Sequence, residues 1–268
     1  MQPTLDTFAV FLQQHGFAKT TRRVYFNAAR RMDRNDPISW LQQQAARRLS
    51  SGSLSVLRAA TGLVLQHFHG LSEPEARARL PRLTGRKQAQ KEGLTPGQLV
   101  IYEGLAAKQK EPVRTVLLLL PVTGMRISEA CDIQWNHLQA VGNDIALVFT
   151  EKGGRTATLI LGKKAKQLLA CYRQGFTGPR AGPLFPSTRG TAVSPVTVRR
   201  ATTAMAKLDP RLQGLTPHIL RHTFCTNLAE KGVGLEVIRD LARHESTATT
   251  SRYTRTSRQR QREALDML

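Results

Sequence analysis

Residues 218–253 read HILRHTFCTNLAEKGVGLEVIRDLARHESTATTSRY and contain most of the side chains on which the interpretation depends. The first half predicts a helix, because Thr216 can cap its N-terminus and Pro217 suits its first position. Apolar residues recur four apart on one face of it: Leu220, Phe224 and Leu228. Two glycines end this helix, and residues 235–242 predict a second, shorter one.

Four side chains of this stretch carry useful chemistry: His218, Arg221, His244 and Tyr253. His218 and Arg221 are three apart, so we expect them to project from one side of the first helical turn. An imidazole exchanges protons near neutral pH, a guanidinium binds phosphate bidentately, and a deprotonated phenol can attack phosphorus. Taken singly, each also fits an ordinary structural role. Together they favour phosphoryl transfer.

The composition indicates a partner with many negative charges. Lys and Arg number 40 against 19 Asp and Glu, which gives a formal net charge of +21 over 268 residues. This balance is untypical of a neutral metabolic enzyme and favours nucleic acid. We find no apolar run long enough to cross a membrane and no signal peptide, and therefore expect a cytoplasmic protein. The three cysteines are odd in number and far apart, which suits reduced thiols, and none has CxxC spacing, so we expect no metal site.

The first 84 residues predict a helical domain with a basic surface. We expect helices near residues 5–16, from a cap at Thr20 or Thr21, near 38–49 and near 53–69. The charges of the second helix are almost all positive, where a solvated surface would mix signs. A helical bundle with an ordinary charged surface is the alternative. The candidate DNA-contact residues here are Lys19, Thr21, Arg22 and Arg23.

Residues 85–93 lack apolar periodicity and predict a linker. Its Arg86 and Lys87 are candidates to lie along DNA phosphates. A second domain then begins at residue 94, where Thr95 can cap a helix that starts with Pro96. The chain as a whole is predicted to be mainly α with a small β-hairpin.

The second domain contains an arginine turn and a lysine hairpin. After an apolar helix at residues 112–120, Gly124 permits a sharp turn into a helix that carries Arg126 and Glu129, with Thr123 or Ser128 as its cap. Either this pair is a structural ion pair, or Glu129 orients an arginine that binds phosphate. Residues 145–150 and 156–161 predict the hairpin. Lys152 lies at its turn, where a lysine is ordinarily just solvated.

The ordered set resembles the tyrosine recombinases of the phage integrase family. TGMRISEA resembles the family's first arginine box, HILRHTF its second, and RHESTATTSRYT the third, which ends in the nucleophile. FLQQHGFAKTTRRVY resembles the start of the core-binding domain. The length is similar to the compact Xer and Cre type, without an arm-binding domain. The six catalytic residues that the resemblance implies are Arg126, Lys152, His218, Arg221, His244 and Tyr253.

The resemblance implies a mechanism without metal, cofactor or ATP. Tyr253 would attack the scissile phosphate and leave a 3′-phosphotyrosyl link with a free 5′-hydroxyl. Arg126 and Arg221 would bind the non-bridging oxygens, and Lys152 would protonate the departing 5′-oxygen. His218 would help to remove the tyrosine proton or bind the phosphate.

The remaining implied roles belong to His244, which would hydrogen-bond the phosphate, and Glu129, which would support Arg126. The family usually has a glycine where this chain has Arg243. Either the turn tolerates a side chain, or Arg243 makes a local DNA contact.

The resemblance also implies an architecture and an assembly. We expect a two-domain clamp, with a helical core-DNA-binding domain at 1–84 and an α+β catalytic domain at 94–268. The partner would be double-stranded DNA, bound by a homo-tetramer on two recombination sites. Without DNA we expect a monomer or weak self-association, located in the cytoplasm with the nucleoid of a bacterium or phage host.

The sequence is compatible with three functions. The first is site-specific recombination, used for integration, excision or dimer resolution. The second is DNA relaxation like that of a type IB topoisomerase. The third is a non-catalytic DNA-binding protein of the same fold.

Overall fold

The computed structural model describes residues 3–86, 92–141, 144–150 and 156–243. The chain divides into two compact units, residues 1–90 and 91–268. Among the described residues, no helix is long and apolar enough to cross a membrane.

The first unit is built around its longest helix, α4. Its helices are α1 (Leu5–Gln14), α2 (Lys19–Arg31), α3 (Pro37–Ala46), α4 (Ser51–His69) and α5 (Glu73–Arg79). Helix α4 packs against each of the other four. The buried side chains between them include Phe8, Leu12, Ala29 and Val64. The prediction of a helical N-terminal region is therefore confirmed.

Two details of this unit differ from the sequence predictions. Helix α2 starts at Lys19, and its N-cap residue Ala18 provides no side-chain cap, so the predicted caps Thr20 and Thr21 are wrong. Both threonines lie inside the first turn because the helix begins earlier. Helix α5 was not predicted, although Ser72 and Glu75 form a capping box at its start.

The second unit surrounds the apolar helix α7. Its elements are α6 (Pro96–Ala107), α7 (Val113–Thr123), α8 (Ile127–Cys131), β1 (Leu138–Val141), β2 (Asp144–Thr150), β3 (Thr156–Ile160), α9 (Lys163–Gly175), α10 (Pro195–Leu208), α11 (Pro217–Glu230) and α12 (Leu235–Ala242). Helix α7 packs against α6, α8, α9, α10 and α11. It extends beyond the predicted end at residue 120, because Pro121 is accommodated near its C-terminus.

The strands form one antiparallel sheet in the order β1-β2-β3. Leu147 of β2 lies opposite Leu138 on one side and Leu159 on the other. The predicted pair of strands is confirmed as β2 and β3. Strand β1 was not predicted, because it has only four residues and most of them are exposed. Lys152 belongs to residues 151–155, outside the described residues.

The first unit holds the described start of the predicted linker, and the second unit holds Leu94, the residue that follows the linker. In the first unit, the backbone N–H of Arg86 donates to the carbonyl of Leu49 (2.9 Å), and Ser51 donates to the carbonyl of Arg86 (3.2 Å). In the second unit, the backbone N–H of Leu94 donates to Thr223 Oγ1 (2.8 Å). Lys87 lies outside the described residues.

Candidate active site

The site begins at Gly124, where the chain turns from α7 into α8. Gly124 has a φ of 62°, in the left-handed region that favours glycine. A Cβ atom added there would lie 2.3 Å from the ring of Phe224 in α11. The turn therefore brings the backbone of the first arginine box directly against the helix of the second box.

Arg126 and Glu129 form the predicted ion pair at the start of α8. Glu129 Oε2 accepts a hydrogen bond from the backbone N–H of Arg126 (2.8 Å), and Oε1 accepts one from its Nη1 (2.8 Å). Arg126 itself is the N-cap residue of α8, so the predicted caps Thr123 and Ser128 are wrong. The Arg126 side chain is 42% exposed and that of Glu129 is 14% exposed. One carboxylate thus fixes the backbone and the guanidinium, which still reaches the surface.

Arg221 of α11 is held inside the protein by two backbone carbonyls. Its Nη1 donates to the carbonyl oxygen of Gly124 (2.7 Å), and its Nη2 donates to that of Ala242. Arg221 is only 5% exposed. Burial and the charge of Arg126 lower the pKa of Arg221 to about 10. The guanidinium therefore remains charged at neutral pH.

Both arginines meet at the C-terminal end of α12. Arg126 Nη2 donates to the carbonyl of Arg243 (3.4 Å), and Arg221 donates to that of Ala242, the preceding residue. The last carbonyls of a helix have no partner within it and carry partial negative charge. They are therefore natural acceptors for two guanidiniums, and they bring residues 126 and 221 to one place.

His218 lies in the first turn of α11, which Thr216 caps as predicted. His218 is exposed, and its ring meets that of His222 edge to face, with centroids 4.7 Å apart. Arg221 points into the protein instead, so the two residues of the second box differ in exposure. The reason is that α11 has buried neighbours beside Arg221, namely the Gly124 turn and the end of α12.

Arg243 ends α12 in the left-handed conformation, with a φ of 53°. Its Nη2 donates to Glu129 Oε2 (2.8 Å), and its side chain is 8% exposed. Its guanidinium carbon lies 5.6 Å from the centre of the Phe149 ring. The turn therefore accommodates a side chain at this departure from the family pattern, and a DNA contact of Arg243 stays a prediction.

The carboxyl group of Glu129 is therefore shared by two arginines. Burial alone would raise its pKa, but the charge of Arg243 and the hydrogen bonds from Arg126 and Arg243 outweigh this effect. They hold the pKa of Glu129 below its ordinary value. The sequence predicts the contact of Glu129 with Arg126. It does not predict the contact with Arg243, which lies 114 residues away.

The remaining candidate residues are distributed as follows. His244 and Tyr253 lie outside the described residues, like Lys152 and Lys87. On α2, Lys19 and Arg23 are exposed, whereas Thr21 and Arg22 are half-buried; Arg86 is exposed. Helix α2 carries five basic and no acidic residues. In the described part of the chain, no group of three or more His, Cys, Asp or Glu side chains could hold a metal ion.

Comparison with known families and proteins gives a consistent result. The model of the phage integrase family matches residues 100–260. The tyrosine recombinase XerA of Pyrococcus furiosus is 27% identical over 273 residues, which cover 98% of this chain and 92% of that protein. The tyrosine recombinase XerC of Mesorhizobium japonicum is 34% identical over 189 residues, 69% of this chain and 58% of that protein.

Solved structures with the same fold include two integrases bound to DNA. The Tn1549 transposon integrase in complex with a circular intermediate DNA has a TM-score of 0.70 at 16% identity, covering 100% of this chain and 99% of that chain. A lambda integrase dimer bound to a COC′ core site has a TM-score of 0.68 at 20% identity, covering 94% and 77%. At these identities the likeness establishes the fold.

Proposed function

The chain belongs to the phage integrase family of tyrosine recombinases, and we propose that it is a site-specific recombinase of double-stranded DNA that works through a 3′-phosphotyrosyl intermediate. The observation that carries this proposal is the convergence of Arg126 and Arg221 on the last turn of α12. The relatives named as tyrosine recombinases and the neighbours solved on DNA support the substrate and the reaction.

The two arginines would bind the scissile phosphate. Each guanidinium has five N–H donors. Arg126 uses one for Glu129 and one for the carbonyl of Arg243, and Arg221 uses two for backbone carbonyls. The others suit the non-bridging oxygens, whose charge grows as phosphorus becomes five-coordinate. Because Arg221 is buried and charged, its attraction for an anion is less screened by water than that of a surface cation.

Tyr253 would be the nucleophile. Its phenolate oxygen forms a bond to phosphorus, and the bond from phosphorus to the 5′-oxygen breaks with its electron pair on that oxygen. Lys152 would give the departing oxygen its proton, and His218 would accept the proton of the tyrosine or bind the phosphate. His244 would hydrogen-bond the phosphate. The reverse attack by a 5′-hydroxyl rejoins the strand, so no ATP is consumed.

The first unit would bind the DNA that flanks the cleavage position. Helix α2 supports this role. Its Lys19 and Arg23 are exposed, and the helix has no acidic residue that would repel DNA phosphates. Residues 1–84 would form the domain that binds this flanking DNA, and residues 94–268 would form the catalytic domain. Four copies on two recombination sites would carry out the exchange.

A plasmid exchange assay tests this function. A supercoiled plasmid with two directly repeated copies of DNA flanking the gene is incubated with the protein in EDTA without ATP. Recombination yields two smaller circles, whereas a topoisomerase yields only relaxed plasmid. Binding without either product would indicate a non-catalytic protein and would contradict the proposal.

A further inference from the structure

Arg243, at the end of α12, contacts two other segments of the candidate site, the start of α8 and strand β2. Its guanidinium donates to Glu129 of α8 and lies over Phe149 of β2. Its backbone carbonyl accepts the hydrogen bond from Arg126. Phe149 precedes Lys152 by three residues, and Arg243 directly precedes His244. Arg243 therefore connects the C-terminal end of α12 with α8 and with β2.

These contacts suit an arginine in particular. The Arg243 side chain is 8% exposed and that of Glu129 is 14% exposed, so both charges lie where water screens them little. A planar guanidinium can pair with a carboxylate while its flat side faces an aromatic ring. Loss of Glu129 would take its carboxylate partner from the largely buried guanidinium of Arg243, whereas loss of Arg243 would leave Glu129 paired with Arg126 alone.

The backbone at Arg243 also indicates that its side chain is needed. A φ of 53° lies in the left-handed region, which glycine adopts without strain and other residues adopt at a cost. A glycine would therefore serve the turn better. The contacts to Glu129 and Phe149 are what an arginine adds and a glycine lacks.

We propose that Arg243 is a positioning residue of the recombination reaction, which holds the α12 turn, α8 and β2 in register for cleavage through its contacts with Glu129 and Phe149. The inference rests on the proposed function. Since the guanidinium is almost fully enclosed by protein, its effect falls on the rate of strand cleavage and leaves DNA affinity unchanged.

The substitution Arg243→Gly separates these effects, because glycine keeps the turn and removes the guanidinium. Arg239→Ala is the matched control, since it removes a positive charge from α12 whose described partner is Asp240. Single-turnover cleavage of a nicked suicide duplex and DNA affinity at several salt concentrations are measured for both. Arg243→Gly is expected to slow cleavage at least tenfold with affinity within twofold, Arg243→Lys to recover part of the rate, and Arg239→Ala to match the original protein.

A double-mutant cycle with Glu129→Gln tests whether Arg243 acts through Glu129. Residues that act as one unit give non-additive effects, so the double variant is expected to cleave no more slowly than the slower single variant. Multiplicative losses in rate would overturn the proposal.

Two further results would also overturn it. A weaker affinity for DNA, with a salt dependence reduced by about one phosphate contact, would make Arg243 a direct DNA ligand. Unchanged cleavage and affinity would leave it as a tolerated turn residue. Failure of the unsubstituted protein to cleave any duplex would contradict the proposed function itself. This outcome differs from the one in which the original protein and Arg243→Gly cleave at the same rate.

Discussion

The Glu129 carboxylate holds Arg126 at two points, since it accepts from the backbone N–H and from Nη1, both at 2.8 Å. The same residue thus sets where α8 begins and where the guanidinium of Arg126 is placed. The contact from Arg243 then makes Glu129 the shared partner of two arginines. The arginine site is in this way organised by one half-buried carboxylate.

Protonation of Glu129 should weaken the fold at low pH. Its pKa is held below the ordinary value, so the unfolded chain takes up the proton at a higher pH than the folded protein does. The stability it contributes is complete above the unfolded pKa, near 4.5, and is lost as the pH falls through the folded value. Urea unfolding should show a gap between the original protein and Glu129→Gln at pH 6 that narrows towards pH 3. A gap independent of pH would contradict this account.

Gly124→Ala should destabilise the second unit by about 2–4 kcal/mol, because it adds left-handed strain and an overpacked contact with Phe224. Gly232→Ala is the matched control: Gly232 has a φ of 81°, but an added Cβ would meet no atom within 4 Å. The control should lose only the strain, about 1–2 kcal/mol. Urea unfolding of both variants measures the difference. Equal losses would show that the contact with Phe224 is unimportant.

Arg221→Lys should slow strand cleavage at least a hundredfold. The guanidinium of Arg221 donates to the carbonyls of Gly124 and Ala242 and has further N–H groups for a phosphate. The single ammonium group of a lysine cannot make all of these contacts. The unsatisfied carbonyl should also cost about 1–3 kcal/mol of stability. Arg211→Lys makes the same exchange at a side chain that is 68% exposed and should change neither property. Cleavage by Arg221→Lys at the original rate would exclude a specific role for the guanidinium.

Much of the fold could be predicted because its signals are local. The cap at Thr216, the cap at Thr95 and the helix at residues 235–242 depend on neighbouring residues and are confirmed. The partnership of Arg243 with Glu129 could not be predicted, since 114 residues separate them and only tertiary packing brings them together.

The different exposure of His218 and Arg221 has the same origin. Their spacing defines the turn of α11 on which they lie. Whether a side chain is buried depends on what packs against that turn. For Arg221 this is the Gly124 turn and the end of α12.

Arg23→Ala should weaken DNA binding and reduce its salt dependence by about one phosphate contact. Arg23 is exposed on the basic helix α2. The control Arg77→Ala removes an exposed arginine from the last turn of α5 in the same unit and should have a smaller effect. Equal effects of the two variants on a core-site duplex would mean that the charge of the unit, and not the surface of α2, determines binding.

The proposed function requires that Tyr253 attacks DNA, which covalent trapping on a nicked suicide duplex tests. The protein and its Tyr253→Phe variant are incubated with the duplex in EDTA without ATP, and the products are separated on a denaturing gel. We predict a protein–DNA band that digestion and mass spectrometry map to a 3′-phosphotyrosyl link at Tyr253, and no band from the variant, which still binds the duplex. A band that persists in the variant, or a link at another residue, would contradict the account.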